Sequence, residues 1–236
     1  GEGNVVRVLD ASATATARDT PGLSAAQVDA MSTRTEYNTE VKNSEGVVVL
    51  PGNSRVTDTY GPTRLVALAD GTQVQARPHT STTYDQGAPT TLNPTTQQHW
   101  SLPTTIATGA SSPGAAPGTP DLQVISTVVN GYTKLNPADA TEGDPWTLGS
   151  PSTVTTAGIT RKTRVDTAGR VTDTRQPMST GSDAGTTKTA YYTVFAQAAP
   201  NAACGGKPEW AGLTCRTYPA AAPSSGPSLP DEEIGR

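Results

Sequence analysis

The sequence predicts an all-β protein built from short antiparallel strands and hairpins, with at most one short helix. Segment 161–175 reads RKTRVDTAGRVTDTR, and its Thr, Val and charged residues alternate on both sides of the turn Asp166-Thr167-Ala168-Gly169. This is the period of two of a strand pair joined at a glycine that can adopt a positive φ. Threonine runs such as 80–83 and 152–156 add β-branched residues that suit a pleated, solvated sheet.

Further strands are expected wherever short apolar or alternating runs stand between turn signals. The segments are 5–9, 47–50, 55–60, 63–69, 71–83, 122–129, 154–164, 170–175, 186–195 and 212–218. One helix is expected after Ser24, because Gln27 stands three residues later and can complete a capping box. Frequent turns between short strands are typical of sandwiches, barrels and β-solenoids.

Composition divides the chain into four segments. Residues 1–108 and 121–219 are rich in predicted strands, and the linker-like stretch 109–120, GASSPGAAPGTP, separates them. Residues 220–236 are expected to form an extended or disordered tail, because Pro, Ser and Gly dominate its first half.

The composition also bounds the core and the partners. Hydrophobic residues make up 33% of the chain and there is one Phe. This indicates either a thin sheet covered by something outside the chain or long irregular stretches. The net charge of −4 comes without any run of Lys or Arg, so neither nucleic acid nor an anionic membrane is expected as a partner. No apolar stretch approaches the length that a membrane span needs.

Two cysteines, Cys204 and Cys215, enclose a glycine-rich loop. A loop of this composition can bring its ends together, so we predict a disulfide in preference to two free thiols. A disulfide would indicate an exported protein in an oxidising environment. With two cysteines, two histidines and no CxxC spacing, no metal site is expected.

Near-repeats of an aromatic or apolar residue, then Asp or Asn, then a Gly turn occur along the chain. One loose copy is Tyr37-Asn38. Their spacing is irregular, which predicts a degenerate array with insertions. The two clearest copies comprise Tyr84, Asp85 and Gly87, and Val165, Asp166, Gly169 and Arg170.

These copies resemble the Tyr-Asp-x-x-Gly-Arg signature of YD repeats, found in Rhs and teneurin-like proteins. The order of GRVTDTRQP, a paired-Tyr strand and CGGKPEWAGLTC further resembles actinobacterial Rhs proteins. The resemblance implies a spiralling β-sheet that forms part of a secreted or cell-surface shell, which commonly encloses a C-terminal effector or toxin. It implies as partners the rest of that shell, with the enclosed effector domain as a further candidate. The self-cleaving motif of such proteins and any recognisable toxin are absent from the sequence.

No catalytic residue, cofactor or enzyme activity is expected from the sequence. Serines occur in no nucleophile-elbow pattern, and His79 is interpreted as a surface or wall residue. The alternative to the shell is an extracellular module that binds carbohydrate or protein through exposed aromatic rings. Its candidate residues are Trp100, Trp146 and Trp210.

Overall fold

The computed structural model describes residues 4–38, 41–42, 44–45, 48–50, 55–175, 177, 185–196 and 202–220. These residues form mostly antiparallel β-structure, which confirms the predicted all-β class. The chain divides into two compact units, Gly1–Val129 and Asn130–Arg236. The predicted tail 220–236 lies outside the described residues except for its first residue.

Unit 1 contains an antiparallel sheet in the order β1-β2-β5-β7-β8-β9, with β6 paired to the first half of β7. A separate hairpin joins β3 to β4. The division between the units falls within β9. The strands are β1 (Arg7–Val8), β2 (Thr33–Tyr37), β3 (Val41–Lys42), β4 (Val48–Leu50), β5 (Val56–Tyr60), β6 (Arg64–Ala67), β7 (Gln73–Tyr84), β8 (Pro103–Ser111) and β9 (Gln123–Gly131).

In the described part of unit 2, five strands pair in chain order, each antiparallel to the next. Two 3₁₀ turns, Ala202–Cys204 and Pro208–Trp210, lie between the last two strands. The strands are β10 (Thr153–Thr156), β11 (Ile159–Val165), β12 (Val171–Arg175), β13 (Thr186–Tyr191) and β14 (Thr214–Pro219).

The described residues also form three short α-helices. Helix α2 (Ala25–Met31) is the predicted one, and its capping box between Ser24 and Gln27 is formed. Helix α1 (Ala11–Asp19) was not predicted, because its alternating Ala and Thr suggest no helical face. Its N-cap is Asp10, whose carboxylate accepts the N–H of Ala13 at 2.7 Å. The third helix, α3 (Pro145–Leu148), is a single turn.

The predicted strands are present, but three strands lie outside them. These are β2, β3 and β8, and the last three residues of β8 belong to the stretch expected to be a linker. The segment predicted as one strand at 154–164 is a hairpin, β10 to β11, with a turn at Ala157-Gly158. The turn was missed because its first residue, alanine, gives no turn signal.

Ala157 and Gly158 both have positive φ, at 50° and 76°. Two such residues in succession match the two-residue hairpin turn that favours Asn-Gly. A left-handed conformation costs an ordinary side chain about 1–2 kcal/mol, and Asn tolerates it better.

Replacing Ala157 with Asn should therefore raise the free energy of unfolding by about 0.5–1 kcal/mol, because part of this backbone cost is removed. Urea unfolding monitored by circular dichroism measures the change. Ala168→Asn is the matched control, since Ala168 lies in the neighbouring hairpin turn but is not among the positive-φ residues. Equal gains from both variants would contradict the explanation.

Candidate functional site

The turn that joins β11 to β12 is held by hydrogen bonds and an ion pair of Asp166. One Asp166 carboxylate oxygen accepts the N–H groups of Ala168 and Arg170, each at 2.9 Å. The other oxygen accepts Arg170 Nε at 2.8 Å and lies 2.7 Å from its Nη2. Gly169 has a φ of 79°, which a side chain would disfavour. The predicted structural residues Asp166, Gly169 and Arg170 are thus in direct contact or adjacent, and Val165 is buried beside them.

Arg170 also connects this turn to the next strand. Its guanidinium carbon lies 4.7 Å from the centre of the Tyr191 ring, and the Tyr191 hydroxyl donates to the carbonyl of Val171 at 2.8 Å. The carboxylate, the guanidinium and the phenol thus join three successive strand ends. We call this set, Asp166, Arg170 and Tyr191, the unit 2 bracket.

The same arrangement occurs in unit 1 around Tyr84 and Asp85. Arg55 Nη1 lies 3.0 Å from the Asp85 carboxylate, and its guanidinium carbon is 4.5 Å from the centre of the Tyr84 ring. The Tyr84 hydroxyl donates to the carbonyl of Val56 at 2.8 Å. We call Asp85, Arg55 and Tyr84 the unit 1 bracket. The predicted residue Gly87 lies in the turn that follows, with a φ of 76°.

The strand register is also equivalent in the two units. Asp58 pairs with Ser81 in unit 1 and Asp173 pairs with Lys188 in unit 2, and each bracket tyrosine stands three residues beyond that pair. Irregularities in the ladder fall at matching places, between Glu36 and Tyr37 and between Arg164 and Val165.

A sequence signal for this equivalence exists and was missed. Residues 55–59 and 170–174 both read RVTDT, so the arginine that enters each bracket begins an identical five-residue segment. Arg55 has neither an aspartate nor a glycine directly before it, so the turn pattern alone did not identify it. A search for direct repeats would have found Arg55 and, through it, the strand pairing.

The two brackets differ in which turn supplies the carboxylate. Asn38 exchanges backbone and side-chain hydrogen bonds with Arg55 at 2.9 Å, as Asp166 does with Arg170, so Asn38 is the uncharged equivalent of Asp166. Conversely, the N–H of Tyr192 donates to Leu213 as that of Asp85 donates to Leu102. Each bracket arginine therefore pairs with one aspartate. In unit 2 this aspartate lies in the turn before the arginine, and in unit 1 it directly follows the bracket tyrosine.

The surroundings of the unit 2 bracket shift the ionisation of its acidic groups. Partial burial acts to raise the pKa of Asp166. The hydrogen bonds and charge of Arg170, with the N–H of Ala168, outweigh burial and hold that pKa below its ordinary value. Burial, followed by the nearby Asp166 charge, raises the pKa of Tyr191, although the Arg170 charge opposes the shift.

A carboxyl whose pKa is depressed in the folded state stabilises the protein above its unfolded pKa, and this stability is lost as pH falls through the folded value. Replacing Asp166 with Asn should therefore lower the free energy of unfolding at pH 7 by about 1–2 kcal/mol, and the difference from wild type should shrink below about pH 4. Urea unfolding between pH 2 and 7 measures it.

The control for this series is Asp19→Asn. Asp19 forms an exposed pair with Arg18, and such surface pairs contribute little. An Asp166→Asn difference that stays constant across the pH range would contradict the assigned role of the carboxylate.

A second polar cluster, which sequence reasoning did not identify, lies inside unit 1. His79 is buried, with Nε2 3.0 Å from Asp58 and Nδ1 2.8 Å from Asp121. Its ring stacks on Tyr60 with centroids 4.3 Å apart. Both ring nitrogens therefore face carboxylates. His79 thus links β5, β7 and the segment before β9 in the interior of unit 1. It does not lie at the surface, which was one of the two positions that the sequence interpretation gave.

Arg77 completes this interior cluster and is 1% exposed. Its guanidinium donates to Asp29 at 2.6 Å and to the carbonyls of Ser32 and Gly61 at 2.7 Å each. Burial lowers the pKa of Arg77, and the Asp29 charge opposes this shift. The helix α2 and the strands β5 and β7 are therefore joined through one buried side chain.

Replacing His79 with Ala should lower the free energy of unfolding by about 3–5 kcal/mol, because two buried carboxylates lose their common partner. The triple variant with Asp58→Asn and Asp121→Asn should recover part of this loss, since no uncompensated charge remains. Thr186 occupies the position in unit 2 that matches His79, and Thr186→Ala is the control. Chemical unfolding of all three variants measures the effect, and a loss below about 1 kcal/mol for His79→Ala would refute the ionic tie.

The three predicted aromatic residues have different environments. Trp146 is 8% exposed and packs on Tyr132 at 4.9 Å, so its ring is not available to a ligand. Trp100 donates through Nε1 to the carbonyl of Thr90 at 2.9 Å and is partly buried. Trp210 is 43% exposed, edge-on to Tyr192 and close to Lys207.

The predicted disulfide between Cys204 and Cys215 is present. Both cysteines are buried and pack with Ala190, and Tyr192 and Tyr218 lie against them. A bridge that closes a loop of this length contributes about 2–3 kcal/mol in the loop-entropy model. The bridge anchors the loop beside Tyr192, which occupies the position that Asp85 has in unit 1.

The fold and these contacts define an all-β protein of antiparallel hairpins whose strand ends are joined by Asp–Arg–Tyr brackets. Comparison with models of known protein families and with curated proteins finds no match. Within the described part of the chain, every helix is too short or too polar to cross a membrane. The same residues contain no group of three or more His, Cys, Asp or Glu placed to hold a metal ion.

Proposed function

We propose that this chain is a structural segment of an Rhs-type YD-repeat shell, secreted or displayed at the cell surface, that encloses and delivers a C-terminal effector or toxin. The observation that carries the proposal is the equivalence of the two brackets. Tyr84-Asp85 and Val165-Asp166, which resemble the YD signature, stand at different strand ends of the two brackets, and each aspartate holds the bracket arginine by the same kind of contact.

A bracket of this kind suits a wall that is extended by repetition. It fixes the register of neighbouring strands locally, so loops of different length can follow without disturbing the sheet. Sixteen residues separate Asn38 from Arg55, whereas three separate Asp166 from Arg170, yet the strands that follow have the same register. Repeated hairpins with variable loops are what a degenerate repeat array requires.

The first strand of the described chain favours a neighbour outside it. Val5, Val6 and Val8 are more than half exposed, and β1 is the outermost strand of its sheet within the part of the chain that the structure describes. Exposed valines in and directly before an edge strand promote pairing with another chain unless they are covered. Further strands of the same shell are the cover that we propose.

The disulfide supports an exported location. Cys204 and Cys215 are bonded in the interior of unit 2, and structural disulfides persist mainly in oxidising compartments. No interaction in this proposal requires catalysis, and the brackets act only by joining strands.

The proposal is tested by expressing the chain with the coding sequence that flanks it and imaging the product by electron microscopy. A hollow particle walled by a continuous sheet, with the C-terminal region protected from protease, is the expected result. A longer product in which this chain forms an isolated domain with no sheet continuing from β1 would overturn the proposal.

The paired variants Arg55→Ala and Arg170→Ala should open that particle to protease, because the strand ends lose their ties. Arg161→Ala is the control, since Arg161 lies on β11 outside either bracket. Equal protease resistance in the wild type and the bracket variants would show that the brackets do not hold the wall.

A further inference from the structure

Unit 1 contains an open cavity of about 540 Å³ beside its bracket, between the diverging ends of β5 and β7. This volume lies within the range of small-molecule sites. We propose that the cavity, which we call the threonine groove, binds a neutral saccharide. The proposal concerns unit 1 by itself and does not depend on the shell.

The groove exists because the β5–β7 ladder ends early. The last paired residues are Asp58 and Ser81, and beyond them the Tyr84 hydroxyl bonds to Val56 in place of a backbone ladder. The walls are strands fixed by the unit 1 bracket and by the buried His79 cluster. A site built on such fixed elements is already formed before a ligand arrives.

The lining is rich in hydroxyl groups, although carbon atoms make up the larger share of its surface. Thr57, Thr82 and Thr83 supply hydroxyls, and Asn38 and Gln86 supply amides. Hydroxyl groups both donate and accept hydrogen bonds, which is the pattern that the hydroxyls of a sugar ring require. The Asn38 and Gln86 side-chain oxygens already accept from Arg55 and from Thr104 and Thr105, so these two amides offer mainly their NH₂ groups. Among the described residues no aliphatic side chain lines the groove, so its apolar surface comes from the carbon atoms of threonine, tyrosine and other polar side chains, which suit a ligand that carries both C–H and hydroxyl groups.

The charged residues of the lining favour a neutral ligand. The two charged residues of the lining already have polar partners, because Arg55 is paired with Asp85 at 3.0 Å and Asp58 Oδ1 lies 3.0 Å from His79 Nε2. An anion would compete with Asp85 and a cation would compete with His79. A neutral hydroxylated ligand competes with neither and uses the remaining hydrogen-bonding groups.

Unit 2 shows what closes the corresponding surface. Thr83 of the groove is exposed, whereas its equivalent in unit 2, Ala190, is 1% exposed and packs under the disulfide. The same sheet position is therefore open and hydroxylated in one unit, and small, apolar and covered in the other. This contrast favours a ligand role for the open surface of unit 1.

The test uses saturation-transfer NMR and titration with neutral probes: glucose, galactose, mannose, N-acetylglucosamine and their common disaccharides. At least one probe should bind, and Thr82→Val should weaken that probe about tenfold or more through loss of one hydroxyl. Thr82→Ser, which keeps the hydroxyl, should retain binding. Thr189→Val, the matching change in unit 2, should leave it unchanged.

Glucuronate and glucosamine serve as charged counterparts and should bind more weakly than the neutral sugars. Amide spectra of each variant establish that it is folded before it is titrated. No binding by any neutral probe at 50 mM, about the weakest affinity a specific sugar site would show, refutes the proposal. Binding that Thr82→Val leaves unchanged, or tighter binding of a charged probe, also refutes it.

Discussion

The architecture depends on one interaction, an arginine held between a turn carboxylate and a tyrosine ring. The planar guanidinium can present its edge to a carboxylate and its face to an aromatic ring at the same time, which a lysine cannot do. In unit 2 the edge meets Asp166 and the face meets Tyr191. Because the tyrosine hydroxyl then bonds to the residue after the arginine, three strand ends are fixed by two side chains beyond the arginine.

This constraint applies to the arrangement and not to one sequence position. Asp85 and Asp166 stand at different positions in their brackets. The equivalent positions in the other unit are occupied by Tyr192 and Asn38, which carry no carboxylate. The backbone hydrogen bonds at all four positions are nevertheless kept. A single carboxylate per arginine is enough, since a second would add a buried or half-buried charge without a partner. The irregular spacing of the sequence motifs follows from this freedom.

Local features of the fold could be predicted from the sequence, and the tertiary pairings could not. The turn at Asp166, the capping box at Ser24 and the Cys204–Cys215 loop each depend on residues close in the chain. Arg55 and Asp85 are 30 residues apart, and His79 and Asp121 are 42 apart, so no local pattern connects them. Strand β8 was missed for a related reason: its small residues signal a linker until the neighbouring strands are known.

Buried polar clusters in unit 1 take the place of the large apolar side chains that its core lacks. Large apolar side chains are few, and the interior of unit 1 is instead tied by Arg77 to Asp29 and by His79 to Asp58 and Asp121. Buried ion pairs add little net stability over apolar packing, but each is costly to leave unpaired. A strand that slipped by one residue would separate His79 from both carboxylates and move every side chain to the opposite face. In a sheet with little apolar surface to bury, the free-energy cost of leaving these polar groups unpaired disfavours wrong pairings. It fixes the strand register, which in other sheets is fixed by apolar packing.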